Sequence, residues 1–225
     1  MNSNAKGKNQ MRVSRAQAAE NRERILDVAS RLFRERGIDG IGVADLMKSA
    51  GLTHGGFYGH FKSKDDLVAQ ACGRAAKKMC DSWIRQLDQA SDPLDTLADT
   101  YLATKHRDNA GRGCTVAALG SELARQSSAV RHVVTEEIKP FIEYLSGIVQ
   151  GNSAGLRRER AIAVYASLVG AIVIARAVDD PALSNEALHA VANNLRSKTA
   201  VRESPRRVPK GSKRTASQVP RIAKA

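Results

Sequence analysis

The sequence predicts an all-α protein: an N-terminal three-helix unit containing a helix-turn-helix, followed by a larger helical domain. Three observations carry this. Apolar residues recur at helical spacing through most of the chain between about Ala16 and Leu195. Aromatic residues are only 4%, and there are just six prolines. Within residues 42–61, two short helical patterns are separated by a single glycine.

The first helix is expected from Ala16 to Arg36, with Ile25, Val28, Ala29, Leu32 and Phe33 as its apolar stripe and Gly37 stopping it. Val43 to Ala50 is the next helix, with Val43, Leu46, Met47 and Ala50 on one face and Gly51 free to take φ > 0 after it. Thr53 is placed to cap a second short helix through HGGFYGHF. Two such helices and a tight turn are the geometry that lays a recognition helix in a DNA major groove. Ser63-Lys64-Asp65-Asp66 is a capping-box pattern, opening a long helix from Lys64 to about Gln89.

Pro93 marks the next boundary, and one helix is expected from Leu94 to Arg107. Residues 109–113 form a turn and Cys114 to Gln126 a further helix. Ala129 to Val149 follows, with Pro140 expected to kink or interrupt it. After a loop at 151–155, Arg157 to Val178 is apolar around most of its circumference, so it must be buried on several sides. Asp179-Asp180-Pro181 ends it, and Ser184 can cap a last helix to Leu195. The organisation is therefore a basic arm (1–15), a helix-turn-helix domain (16–72), a helical domain (73–196) and a basic tail (197–225), both ends being expected to lack order.

Charge is confined to those ends. Residues 1–24 carry six Lys/Arg against two Asp/Glu, and 196–225 carry ten against one, while the rest holds 20 of each; the net +13 is therefore terminal. Such extensions suit phosphate attraction. Arg12, Arg15, Arg22 and Arg24, at the start of the first helix, are candidates for the DNA backbone. No apolar run reaches 18 residues and the first 24 are polar, so neither a membrane span nor a secretory signal is expected, and the cytoplasm is the expected location. Cys72, Cys80 and Cys114 give neither a disulfide framework nor a metal spacing; Cys72 and Cys80 would lie about 12 Å apart on one helix. No cofactor or metal is expected.

The run RERILDVASRLFRERGIDGIGVADLMKSAGLTHGGFYGHFKSKDDLVAQA resembles the DNA-binding domain of the tetracycline-repressor (TetR/AcrR) family of bacterial transcription regulators. The resemblance rests on F-x-x-x-G (Phe33, Gly37), on A-x-L-x-x-x-A-G-L (Ala44 to Leu52), and on F-Y-x-H-F-x-S-K (Phe57 to Lys64). It implies that Thr53, His54, Gly55 and Gly56 face the groove. It also implies that Tyr58, Gly59, His60 and Lys64 meet phosphates, while Phe57 and Phe61 face the core. The family usually opens its first short helix with threonine or serine. This chain has Gly42 there, which leaves the Gly42 and Val43 N–H groups for a phosphate.

The resemblance further implies a homodimer through the last two helices (about 157–195), a double-stranded and palindromic DNA operator, and a small-molecule effector held by the C-terminal ligand-binding and dimerisation domain. Candidate lining residues are Trp83, Tyr101, His106, Cys114, Tyr144 and Tyr165, with ordinary core packing as the competing role of each. Cys114 is open to two readings: a thiol activated by a helix N-terminus and Arg112, or an inert buried cysteine. The predicted function is a repressor released by its effector. The alternative is an architectural protein binding DNA through its basic termini. An enzyme is disfavoured because H-E-x-x-H, G-x-S-x-G and a complete phosphate-binding loop are all missing.

Overall fold

Ser14 accepts the N–H of Gln17 and opens α1 (Arg15–Arg36) in the computed structural model, which describes residues 14–200, with side chains from 14 to 196. The predicted arm up to residue 13, with Arg12, and the tail beyond residue 200 lie outside the described residues. Gly37 ends α1 at φ +83°, a conformation that a Cβ disfavours, and its N–H bonds the Phe33 carbonyl. α2 (Val43–Ser49) follows, and Gly51, at φ +71°, makes the tight turn. The second short helix, His54–Gly59, is a 3-10 helix. Thr53 precedes it in extended conformation but makes no side-chain cap bond, contrary to the sequence expectation. Three glycines in six residues remove the side-chain packing that would favour an α-helix over the more tightly wound 3-10 form.

α3 (Lys64–Leu87) opens on the predicted cap: Ser63 accepts from the Asp66 N–H, and Asp66 takes the N–H of Lys62. The single helix expected over 94–107 is two, α4 (Pro93–Tyr101) and α5 (Thr104–Asp108). His106 bends back so that its Nδ1 meets the Tyr101 carbonyl at 2.6 Å, a bond that continuing the helix would forbid. A 3-10 turn at Ala110–Arg112 leads into α6 (Thr115–Leu123). α7 (Ser128–Ile148) passes through Pro140 without interruption. α8 (Ala154–Ala177) begins within the expected loop, capped by Ser153. α9 (Pro181–Ala200) is capped by Asp180, whose carboxylate takes the Ala182 N–H at 2.8 Å. Ser184 instead donates to the Ala175 carbonyl at 2.7 Å and ties α9 to α8.

Two cores result. The first joins Ile25, Leu32 and Phe33 of α1 to Leu46, Met47, Phe57, Phe61 and Leu67, and is closed from the C-terminal side by Leu119, Leu123, Val130 and Val134. The second lies between α3, α4, α6, α7, α8 and α9, around Tyr101, Phe141, Leu168 and Ile172. α3 passes through both, and α6 and α7 pack against it where the cores meet. Burial of each large side chain contributes roughly 1.5–3 kcal/mol. α8 departs from the expectation of burial on several sides. Its inner face is buried, but Ile162, Val173 and Ile174 remain 46%, 44% and 50% exposed. By length and composition alone α8 is apolar enough to cross a membrane, and only part of it is buried in the fold.

Candidate functional site

None of the ten predicted DNA-contacting residues is buried. Gly42, Thr53, His54, Gly55, Tyr58 and Gly59 are exposed, and Val43, Gly56, His60 and Lys64 are half-exposed. Tyr58 is 72% exposed, whereas the adjacent Phe57 and the nearby Phe61 are buried and stacked with ring centroids 5.8 Å apart. The recognition segment is therefore pinned by its phenylalanine and presents everything else outward. Gly42 stands at the N-cap of α2 with no side-chain cap, so the first N–H groups of that helix have no intrahelical partner. A Cβ added at Gly42, Gly55 or Gly59 would meet nothing within 4 Å, so packing does not require glycine at these positions. Lys64 is held near Asp39, with Nζ 3.6 Å from the carboxylate. Arg22, expected to reach phosphate, is tied within the domain: its guanidinium lies 5.2 Å over the Phe61 ring and donates to Gln70.

Five of the six predicted lining residues converge in the C-terminal domain. The Trp83 ring lies 4.5 Å from Tyr101 and 5.7 Å from His106, and Phe141 bridges Trp83 to Tyr165 at 5.7 and 5.9 Å. The Cys114 sulfur is 3.7 Å from the Tyr165 hydroxyl. Tyr144 stands apart, beside Asp88. Cys114 is fully buried and its sulfur accepts the Ala117 N–H at 3.4 Å, capping α6; this geometry matches the buried reading of that residue. Cys72 and Cys80 are also buried, and desolvation pushes both thiols up to about 12.

Two buried hydroxyls in this region, Tyr101 Oη and Thr115 Oγ1, lack a hydrogen-bond partner among the described residues; Cys114 is close enough to act on Tyr101 but outside bonding geometry. Sequence reasoning missed Thr115, Phe141 and Arg176. Arg176 reaches from α8 to the carbonyls of His106 and Arg107 at 2.7 and 2.9 Å. No local pattern signals a bond between residues 70 apart.

The family profile described as bacterial regulatory proteins, tetR family, matches residues 25–71, the span that builds α1, α2, the recognition segment and the start of α3. Residues 25–71 form a TetR-family DNA-binding domain. The chain is 42% identical over 59 residues to the HTH-type transcriptional regulator AcrR of Shigella flexneri, covering 26% of this chain and 27% of that one. It is 32% identical over 89 residues to the HTH-type transcriptional repressor KstR2 of Mycolicibacterium smegmatis, covering 40% and 43%. The chain thus spans less than half the length of these curated relatives. A TetR-family regulator from Agrobacterium tumefaciens has the same fold over 79% of this chain and 98% of its own, with a TM-score of 0.65 and 22% identity. In TetR-family terms, the N-terminal domain is the family's helix-turn-helix DNA-binding domain, and the C-terminal half shares the family's fold.

His106 links the halves of the C-terminal site. Nδ1 donates to the Tyr101 carbonyl and Nε2 accepts the Cys114 N–H at 2.9 Å, so the ring is neutral with its proton on Nδ1. A Cβ at Gly113 would lie 2.5 Å from that ring, so only glycine admits it. Burial, and secondarily Arg176, lowers the His106 pKa below its ordinary 6.5, against the opposing pull of the Tyr101 carbonyl. The unfolded chain therefore takes this proton first as pH falls. Stability from His106 is complete above about pH 6.5 and is lost as pH drops below that value towards the folded pKa. Urea midpoints measured from pH 7.5 to 5 should fall, and His106→Gln should flatten part of that slope while costing about 1–3 kcal/mol at pH 7.5. An unchanged slope in the variant would exclude His106 as the group responsible.

Proposed function

We propose that this protein is a homodimeric, sequence-specific transcriptional repressor that leaves its operator when a small molecule binds the C-terminal domain. The observation that carries the DNA-binding part is the recognition segment: one buried anchor, Phe57, behind an outward surface of Thr53, His54, Tyr58 and three glycines. With so few side chains on offer, His54 and Thr53 read bases and the shape of the groove supplies further selectivity. Tyr58, His60, Lys64 and the Gly42–Val43 amides hold phosphates and fix register.

Dimerisation through α8 and α9 is supported by the exposed apolar face of Ile162, Val173, Ile174 and, at the start of α9, Leu183. An effector contacting Trp83, Tyr101, His106, Cys114 and Tyr165 is supported by the unpaired Tyr101 and Thr115 hydroxyls, which a polar ligand group would satisfy. The function requires no catalysis and places the protein in the cytoplasm, on DNA.

The test is a titration of full-length protein on palindromic DNA from its own upstream region and on a scrambled fragment, at two salt concentrations. Marked preference for the palindrome is expected. His54→Ala should relax discrimination at particular base pairs by about 1–3 kcal/mol, while Tyr58→Ala should weaken binding evenly across sequences. Equal, salt-sensitive binding to both fragments would sink the repressor reading in favour of an architectural role for the basic termini.

A further inference from the structure

The geometry points to a second ligand site: a cleft between α1 and α3 that binds small organic anions, a carboxylate or phosphate monoester with an apolar body. The cleft has a volume of about 560 Å³, within the range of sites for small molecules. Its walls come from α1, α3 and the 3-10 turn at Ala110–Arg112, and Val28, Ala75 and Met79 supply an apolar lining.

Five cations line it, Arg31, Arg34, Arg74, Lys78 and Arg112, against a single carboxylate, Asp27. Arg31 is paired with Glu35, and Arg74 with Glu23 and Asp27. The other three have no carboxylate within ion-pair distance among the described residues. Arg34 spends Nη1 and Nη2 on the carbonyls of Gly113 and Gly111, at 3.3 and 2.5 Å, and its buried Nε has no partner. Burial lowers the Arg34 pKa, the mark of a cation short of compensating negative charge. Lys78 and Arg112 are exposed, so an anion reaches them directly with the charge of Arg34 behind.

DNA phosphate is not the occupant. Lys78 lies fourteen residues beyond Lys64 on the same helix, about 21 Å from the end of α3 that the recognition segment flanks. The apolar body has a direction to run. A neighbouring cleft of about 530 Å³, lined by Trp83, His106 and Lys105, shares Met79, Ser82 and Arg112 with the first. The two therefore meet along α3. The site also sits where a ligand has leverage: α1 carries the DNA-binding core, and Arg34 and the Glu122 carboxylate, which accepts the Ile38 N–H at 2.6 Å, tie it to the C-terminal domain. That an anion there alters operator affinity rests on the repressor reading; the binding itself does not.

The chain has a single tryptophan, Trp83, which lines the neighbouring cleft, so its fluorescence reports without labelling on an apolar body that runs there from the cationic cleft. Full-length protein is titrated with decanoate, decyl phosphate and the neutral decanol. Both anions are expected to shift Trp83 emission saturably, with decanol at least about tenfold weaker. The better of the two anions identifies the head group. Lys78→Glu with Arg112→Glu, both at exposed positions, should weaken the anions by at least about tenfold and leave decanol unchanged, while Lys78→Arg with Arg112→Lys restores binding. Anion binding equal to that of decanol, untouched by the charge reversal, or absent overturns the site. The same variants are titrated with operator DNA alone. Unchanged operator binding with no anion response removes the cleft and leaves the repressor; a charge-dependent anion response without operator preference keeps the cleft and removes the repressor.

Discussion

Phe57→Ala is expected to abolish operator binding at protein concentrations that saturate the wild type, at a cost of about 3–5 kcal/mol in stability. Phe57 is the only buried residue of the recognition segment, which spans six residues in 3-10 form. It stacks on Phe61 and meets Tyr58 edge-on at 5.2 Å, and so sets the direction in which Tyr58 and its neighbours point. Three glycines give the segment little helical preference of its own, each worth roughly 1 kcal/mol against alanine. Without the ring, the entropy of ordering six residues has nothing to oppose it. Tyr58→Ala is the control. At 72% exposed it contributes little to stability, so it should weaken DNA binding while leaving the thermal midpoint within about a degree or two. Calorimetry and the operator titration on the two variants separate the roles. A Phe57→Ala protein that binds the operator as wild type does would show that the segment holds its shape by other means.

The loss at Phe57 is not confined to one domain. Leu119, Leu123, Val130 and Val134, from α6 and α7, close the same core. The carboxylate of Glu122 takes the first N–H after the Gly37 turn, and Arg34 grips the carbonyls of Gly111 and Gly113. The DNA-binding core is thus finished with side chains from the domain that would receive the effector. A displacement of α6 or of the 3-10 turn moves α1, and α1 carries the packing of α2 and the recognition segment. Coupling between the sites needs no longer route than this shared core and two ties.

Local chemistry was legible in the sequence wherever a pattern of a few residues decides the outcome. The spacing of Val43, Leu46 and Met47, the glycine at 51 and the Ser63 cap all stand as read, because each depends on neighbours within one turn. The aromatic candidates of the C-terminal domain were also found, since large rings on amphipathic helices face a common core; Tyr144, at the partly exposed edge, was the exception. Apart from the Thr53 cap, a local expectation that the glycine-rich 3-10 segment does not fulfil, most of what failed was decided by distant partners. His106 splits one expected helix into α4 and α5 by taking the Tyr101 carbonyl, an arrangement that depends on Gly113 and Arg176. Ser184 leaves its expected cap for the Ala175 carbonyl because Asp180 already serves as the cap. Arg34, near the end of α1, looks like any surface arginine until the turn at Ala110–Arg112 folds against it.

Ile174→Asp together with Val173→Asp is expected to convert the protein from a dimer to a monomer of 24.3 kDa and to lower operator affinity by at least about a hundredfold. The inner face of α8 is satisfied by Val164, Leu168 and Ile172 within one chain. The outer face has no such cover, and Ile162 and Val173, eleven residues or three turns apart, stand on it in line. Glycine at 170, where an added Cβ would meet nothing within 4 Å, keeps the surface low enough for another helix to approach closely. A two-fold axis through such a face places each copy's α8 against the other and fills both at once. Two carboxylates at its centre meet their symmetry mates, so desolvation and repulsion act together. The fold itself should survive, since both side chains are about half exposed in one chain, and helical content by circular dichroism should be unchanged. One recognition segment then remains per particle, and a palindrome offers only half its contacts. Sedimentation velocity beside the operator titration decides the matter: a dimer that persists would place the interface elsewhere, and a monomer with undiminished operator affinity would remove the need for one.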